Sequence, residues 1–257
     1  MWHQIKSYFN FILKSNNQHG IHSPFVYDLI TNCFYDKKNY PEYTEIQNFR
    51  KQVLQNKTEI EITDFGAGSR VFKSNKRKVS AIAKNAGITL KRQQLLFRLC
   101  RYFKPEKVLE LGTSVGLGTA SIAISKVSKH INTVEGCPNT STIAQQFFNN
   151  FNLSNIKLHP STFEDFFRRN STEKYDLVYI DGNHDKENTL RYFEIILDKI
   201  HNNSVLIFDD IYWSSAMTEA WIEIIQHPKV TVSIDTFYWG IVFFRKEQAK
   251  EDFTIRL

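Results

Sequence analysis

The stretch that most constrains this chain is Val108–Thr119, VLELGTSVGLGT. Its opening run Val108-Leu109-Glu110-Leu111 is short and mostly apolar, which reads as a buried parallel strand. Pro105, just ahead of it, marks where a preceding helix must have ended. Gly112, Gly116 and Gly118 then allow a tight turn and a close approach of backbone to a ligand. Thr119–Ile124 follows as a helix whose free N–H groups would face that ligand. Strand, glycine loop and helix begin a nucleotide-type βαβ unit; taken alone, the stretch also admits an ordinary glycine-rich turn.

The surrounding pattern favours the βαβ unit. Gln93–Phe103 places Leu95, Leu96, Leu99 and Phe103 at helical spacing. Strand candidates follow at Lys107–Leu111, Ile131–Glu135, Ile156–His159, Tyr175–Asp181 and Ser204–Asp209. Helix candidates Thr119–Lys126, Thr140–Phe151, Thr162–Arg169 and Lys186–Ile200 lie between them. After a helix at Ser215–Gln226, the runs Val230–Ile234 and Trp239–Phe244 have no helix between them and suit an antiparallel pair. The expected fold is α/β: a Rossmann-like doubly wound sheet, mostly parallel with one antiparallel strand, plus an N-terminal helical cap.

That cap is residues 1–87, read as a helical substrate region ahead of a ligand-binding domain at 88–257. Trp2–Leu13 is an amphipathic helix candidate, and Ser23-Pro24 suits the start of a helix over Phe25–Cys33. His19 and His22 flank Gly20; they admit a place lining a site, but read first as surface or capping residues of a turn. Thr58–Arg70 is a decoy. Glu59–Ile62 alternates like a strand and Asp64–Gly68 looks like a second nucleotide loop. The residues after it, Lys73–Lys78, are strongly basic instead, and no strand ending in an acid follows at the required distance. A turn near the ligand mouth and a solvated charge run are the expectations there.

Bulk composition bounds the class. At 257 residues, 42% hydrophobic and 23% charged, the chain has the make-up of a globular protein with one substantial core. Its three cysteines, Cys33, Cys100 and Cys137, are odd in number and lack metal spacing, which fits a reducing cytoplasm. No apolar run approaches the roughly 20 residues of a membrane span. The net charge of +6 permits an acidic partner but is an ordinary surplus for a solvated surface.

Ligands of open α/β sheets bind beyond the carboxyl ends of the strands. Three predicted strand ends carry acids: Glu135, Asp181 and the pair Asp209-Asp210. Glu135 lies 25 residues after Glu110, close to the roughly 20-residue offset of an acid that bonds ribose hydroxyls. The glycine order is G-x-x-x-G-x-G rather than the dinucleotide G-x-G-x-x-G, which argues against a nicotinamide cofactor.

On these residues the sequence resembles the class I S-adenosylmethionine-dependent methyltransferases, in particular the catechol O-methyltransferase-like branch. The likeness spans roughly 91–245 and rests on ELGTSVG at Glu110–Gly116, on Glu135, on IDGNH at Ile180–His184 and on FDDIYW at Phe208–Trp213. It implies that Glu110, Gly112, Thr113, Gly116 and Gly118 surround the methionine part of S-adenosylmethionine and that Glu135 holds its ribose. Ser161 and Thr162 fall where relatives contact adenine, although the usual acid is missing there. Relatives that use a divalent cation bind it at positions matching Asp181, Asp209 and Asp210, and three hard oxygen donors would suit Mg²⁺ or Ca²⁺ rather than a soft metal. The family's lysine base is replaced by His184, which would act beside Asp181 as the proton acceptor. One of Asp209 and Asp210 also suits the N-cap of the following helix. Tyr212 and Trp213 read equally as a substrate wall or as core.

The resemblance implies O-methylation of a small-molecule hydroxyl by a cytoplasmic enzyme, with a homodimer as the partner expectation. A nucleic-acid methyltransferase is the competing enzyme class, favoured by the positive charge but lacking an N-P-P-Y motif or an attached RNA module. A non-catalytic cofactor-binding protein is the competing non-enzyme class.

Overall fold

The computed structural model describes residues 2–63, 74–170 and 172–257. The Asp64–Gly68 loop lies outside them. In chain order the helices and strands are α1 (Trp2–Lys14), α2 (Pro24–Leu29), α3 (Glu42–Gln55), β1 (Glu59–Glu61), β2 (Lys76–Lys78), α4 (Val79–Asn85) and α5 (Leu90–Phe103). Then come β3 (Lys107–Leu111), α6 (Leu117–Ile124), β4 (His130–Glu135), α7 (Pro138–Asn150), β5 (Ile156–Pro160) and α8 (Phe163–Arg169). The chain continues with β6 (Leu177–Ile180), α9 (Lys186–Leu197), β7 (Val205–Asp209), α10 (Ser215–Gln226), β8 (Val232–Asp235), β9 (Trp239–Phe243) and β10 (Glu251–Thr254). The fold is mixed α/β with a mostly parallel sheet, and no described helix is long and apolar enough to cross a membrane.

These elements form two compact units, residues 36–171 and residues 1–35 with 172–257. The first 87 residues are therefore shared between the units: α1 and α2 belong to one, α3 and α4 to the other.

In the 36–171 unit β3, β4 and β5 run parallel, with Glu110 opposite Thr133 and Glu135 opposite Pro160. β3 is buried from Val108 to Leu111, as its apolar run requires. Helix α5 is tied to α6 by Gln93, which is fully buried and satisfied. Its amide donates to the Leu117 carbonyl (2.9 Å) and the Ser121 hydroxyl (3.2 Å), and its oxygen accepts from Arg50 (3.1 Å). A buried amide is tolerated because each of these bonds replaces one to water. The part of the basic run that the structure describes stays largely solvated and includes a short strand. Lys76–Lys78 forms β2, antiparallel to β1, with Glu59 opposite Lys78 and Glu61 opposite Lys76. Such opposite-charge pairing stabilises a strand pair that buries little.

In the other unit the strand order is β10-β8-β9-β7-β6. β6 and β7 are parallel, β9 is antiparallel to both β7 and β8, and β10 is parallel to β8. The antiparallel strand is thus the one expected from the uninterrupted C-terminal runs. β10 was not visible in the sequence, because Glu251-Asp252 has poor strand propensity. Asp252 accepts the Ser233 hydroxyl at 2.6 Å and Asn16 bridges Ile255, which hold this edge. Helix α1 buries Phe11, whose ring lies 5.6 Å from Phe237. Ser23 caps α2 by accepting the Val26 N–H (3.4 Å), with Pro24 in the first turn. The helix expected to reach Cys33 instead passes into a π turn at Ile30–Phe34.

Candidate functional site

In the 36–171 unit the glycine loop is braced from below. Glu110 is 1% exposed, and its carboxylate accepts the hydroxyls of Thr119 on α6 and Thr133 on β4, the latter at 2.5 Å. The Thr133 hydroxyl also lies 2.5 Å from that of Thr113, so strand, loop and helix share one polar knot. Burial pushes the Glu110 carboxyl up to about 7; the two hydroxyl bonds lower it and the neighbouring Glu135 charge raises it.

The loop above is left-handed at three points, Gly112 (φ 104°), Ser114 (φ 49°) and Gly116 (φ 83°). Gly116 is required twice over: by its backbone angle, and because a Cβ there would lie 2.6 Å from the Phe148 ring. It is the N-cap of α6, with no side-chain bond to that helix end, and Gly118 lies in the helix's first turn. At the end of β4, half-buried Glu135 is fixed by two backbone N–H groups. One carboxylate oxygen accepts from Ser114 (2.8 Å), the other from Cys137 (2.9 Å). Strand-end acid and glycine loop are therefore directly joined.

After β5, the Ser161 N–H donates to the Glu135 carbonyl (3.1 Å). The Thr162 hydroxyl caps α8 by accepting the Asp165 N–H (3.2 Å). Thr162 thus has a structural task that its sequence position, just ahead of a helix with acids in the first turn, already permits.

In the other unit, β6 ends in the loop Asp181–Asp185. Asn183 (φ 66°) and His184 (φ 42°) are successive left-handed residues, a conformation that costs about 1–2 kcal/mol for each side-chain-bearing residue. The loop is restrained by Asn183, which donates to the Tyr192 hydroxyl (2.9 Å), and by Asp185, which caps α9 through the Asn188 N–H (2.9 Å). His184 Nε2 stands 3.6 Å from Asp181 Oδ1, and its ring lies 6.1 Å from that of Trp213. Both side chains keep some access to solvent, 25% for His184 and 19% for Asp181.

The three acids named for a cation do not form a ligand cluster. Asp209 is 4% exposed; one of its oxygens lies 3.1 Å from the Tyr179 hydroxyl and the other accepts the Asp210 N–H (2.8 Å). The same Tyr179 hydroxyl lies 3.0 Å from Asp181. A phenol is thus interposed between the two carboxylates that were to share a metal, and Asp210 sits in a left-handed turn (φ 54°). Among the described residues no group of three or more His, Cys, Asp or Glu side chains is arranged to hold a metal ion. The donor set does not fit the cation.

Neither Asp209 nor Asp210 caps the next helix: the α10 cap is Ser214, which accepts the Met217 N–H (3.1 Å). Trp213 is half-buried beside His184, whereas the Tyr212 hydroxyl is bound to Asp235 (2.5 Å). His19 and His22 are exposed, as expected of turn residues. Tyr179, Thr133 and Thr119 went unrecognised in the sequence. The signal for Tyr179 was its place two residues before Asp181, on the same face of the strand.

Residues 109–211 match the family model described as a methyltransferase domain. A comparison with curated proteins finds no match. Among solved structures the chain is similar to a Bacillus cereus O-methyltransferase in complex with SAH, at 16% identity and TM-score 0.55, covering 82% of this chain and 94% of that one. It is also similar to the SAH-bound Podospora anserina methyltransferase PaMTH1, at 12% identity and TM-score 0.60, covering 88% and 97%. A third is the O-methyltransferase TomG from Streptomyces achromogenes, solved with SAM, at 14% identity and TM-score 0.56, covering 81% and 91%. At these identities the likeness is one of fold. The family match is likewise confined to residues 109–211, the stretch that is similar to a methyltransferase domain.

Proposed function

We propose that the chain transfers a methyl group from S-adenosylmethionine to a hydroxyl oxygen of a small-molecule acceptor. The observation that carries this reading is the braced loop Glu110–Gly116 joined to Glu135 through the Ser114 N–H. A loop held open by buried bonds, beside a carboxylate with fixed direction, suits a ligand that carries vicinal hydroxyls and must not be held too loosely. Bound there, the cofactor supplies an electrophilic methyl on sulfur. In this reading Gly112, Thr113, Gly116 and Gly118 line its methionine end and Glu135 accepts from the ribose hydroxyls. Ser161 and Thr162 lie on the adenine side through their backbone. Glu110 positions the loop from beneath rather than touching the ligand.

The chemical step is an in-line displacement. A lone pair on the acceptor oxygen forms the O–C bond as the C–S bond breaks, and sulfur departs as a neutral thioether. The acceptor's hydroxyl proton passes to His184 Nε2, since a neutral imidazole accepts protons near pH 7. Asp181 Oδ1 stands 3.6 Å from that nitrogen and helps to orient the ring. No step is assigned to a cation.

Isothermal titration with S-adenosylmethionine tests the cofactor, and Glu135→Ala is expected to weaken binding roughly 10- to 100-fold, the loss of hydrogen bonds to a charged group. With a panel of phenolic and catecholic acceptors, His184→Ala should lower kcat about 100-fold or more with little change in cofactor affinity. A chelator should leave the rate unchanged. Folded protein that fails to bind the cofactor would end this reading.

A further inference from the structure

Helix α1 has two apolar faces, and only one is used. Phe11 is buried, and His3 on the same side bonds the Thr218 hydroxyl (3.0 Å). On the opposite side Trp2 (80% exposed), Ile5 (44%), Phe9 (65%) and Leu13 (84%) stand in the open at spacings of three and four residues. That spacing puts them on one stripe along a helix of 13 residues, about 20 Å long. Exposed aromatic rings continue the stripe sideways. Tyr8 packs edge-on against Phe237 (4.9 Å between ring centres), and Phe237 against Tyr238 (5.1 Å), with Tyr8 46% and Tyr238 52% exposed. Phe237 itself is held at φ 73°, with its N–H on Asp235 (2.7 Å), so the aromatic turn is built in place.

The charge carried by α1 itself has one sign, with Asp235 buried beneath the neighbouring turn. Lys6 and Lys14 are the charged residues of α1, and no Asp or Glu occurs in the sequence before Asp28. Arg256 is held near the end of α1, its N–H donating to the Asn16 carbonyl (3.2 Å). A second copy of the helix would meet this stripe with lysines against lysines. An anionic bilayer surface complements both features, taking apolar and aromatic side chains at the headgroup boundary while lysines meet lipid phosphates. Tryptophan and tyrosine, with an apolar body and a polar tip, suit that boundary.

We propose that α1, with the Phe237–Tyr238 turn beside it, docks this protein onto an anionic lipid surface. The inference rests on the helix and its charge and is independent of the methyl-transfer reading.

Co-sedimentation of the full chain with vesicles tests it, comparing phosphatidylcholine alone with an equimolar mixture of phosphatidylcholine and phosphatidylglycerol. The protein should bind the mixed vesicles, bind phosphatidylcholine far more weakly, and be released by high salt. The double variant Phe9→Glu/Leu13→Glu, at two exposed positions, should lose about tenfold or more in apparent affinity. Lys6→Glu should lose about fivefold or more. Circular dichroism spectra like that of the parent would show that both variants are folded. Failure to bind mixed vesicles overturns the proposal, as does binding that the folded double variant retains. A dimer seen by light scattering that the double variant abolishes, without lipid binding, would assign the face to a second copy and overturn it equally.

Discussion

Glu110 shows how one residue's environment changes its chemistry. In the sequence it is the acid of a loop motif and reads as a ligand contact. In the fold it is sealed beneath the loop, bonded to Thr119 and Thr133, with its carboxyl raised by burial to about 7. An acid whose pKa is higher in the folded than in the unfolded chain keeps its proton longer when folded. Its contribution to stability is therefore intact below the unfolded value near 4.5 and is lost as pH rises toward 7. Urea denaturation of the ligand-free protein should show stability falling across that window by on the order of 1–3 kcal/mol from this group. Glu110→Gln should flatten the fall, since the amide does not ionise. A variant with the same pH profile as the parent would remove Glu110 as its cause. His184 makes the complementary point: its identity was legible in IDGNH, but its left-handed backbone (φ 42°) was not.

At the scale of elements, the alternating strands and helices from Gln93 to Gln226 follow directly from hydrophobic period, and their ends differ from expectation by only a few residues. The exceptions are short or charged elements. β2 and β10 are stabilised by pairing with a neighbour that is distant in sequence, which no local pattern records. The cap of α10 was misread for a similar reason: FDDIYWSS offers four capping residues, and the left-handed turn at Asp210 hands the role to Ser214. Strand β9 depends on a small residue. A Cβ on Gly240 would lie 2.5–2.7 Å from atoms of the Trp221 ring on α10, well inside contact distance. Gly240→Ala is expected to destabilise the protein by about 1–3 kcal/mol through overpacking, read as a lower denaturation midpoint with an unchanged slope. Gly240→Ala combined with Trp221→Phe, which removes part of that ring, should recover some of the loss.

For the whole molecule, a ligand that binds only the folded state must stabilise it. S-adenosylhomocysteine at about 100 times its dissociation constant would add about 2.7 kcal/mol. A rise of roughly 5–10 °C in thermal midpoint is expected, and Glu135→Ala at the same concentration should show a smaller one. No rise for the parent protein would count against the cofactor. The class of fold and the glycine loop were readable in the chain alone, because both are local. Strand period, helix period and the glycines at 112 and 116 act over a few neighbouring residues. The surroundings of Asp181 and Asp209 and the free helix face were not. Whether Asp181 and Asp209 meet around a cation or around a phenol depends on Tyr179 standing between them across two strands. Likewise, which side of α1 is buried depends on what Phe11 finds to pack against. Those outcomes are contacts between residues far apart in sequence, and only chain closure into a packed core decides them.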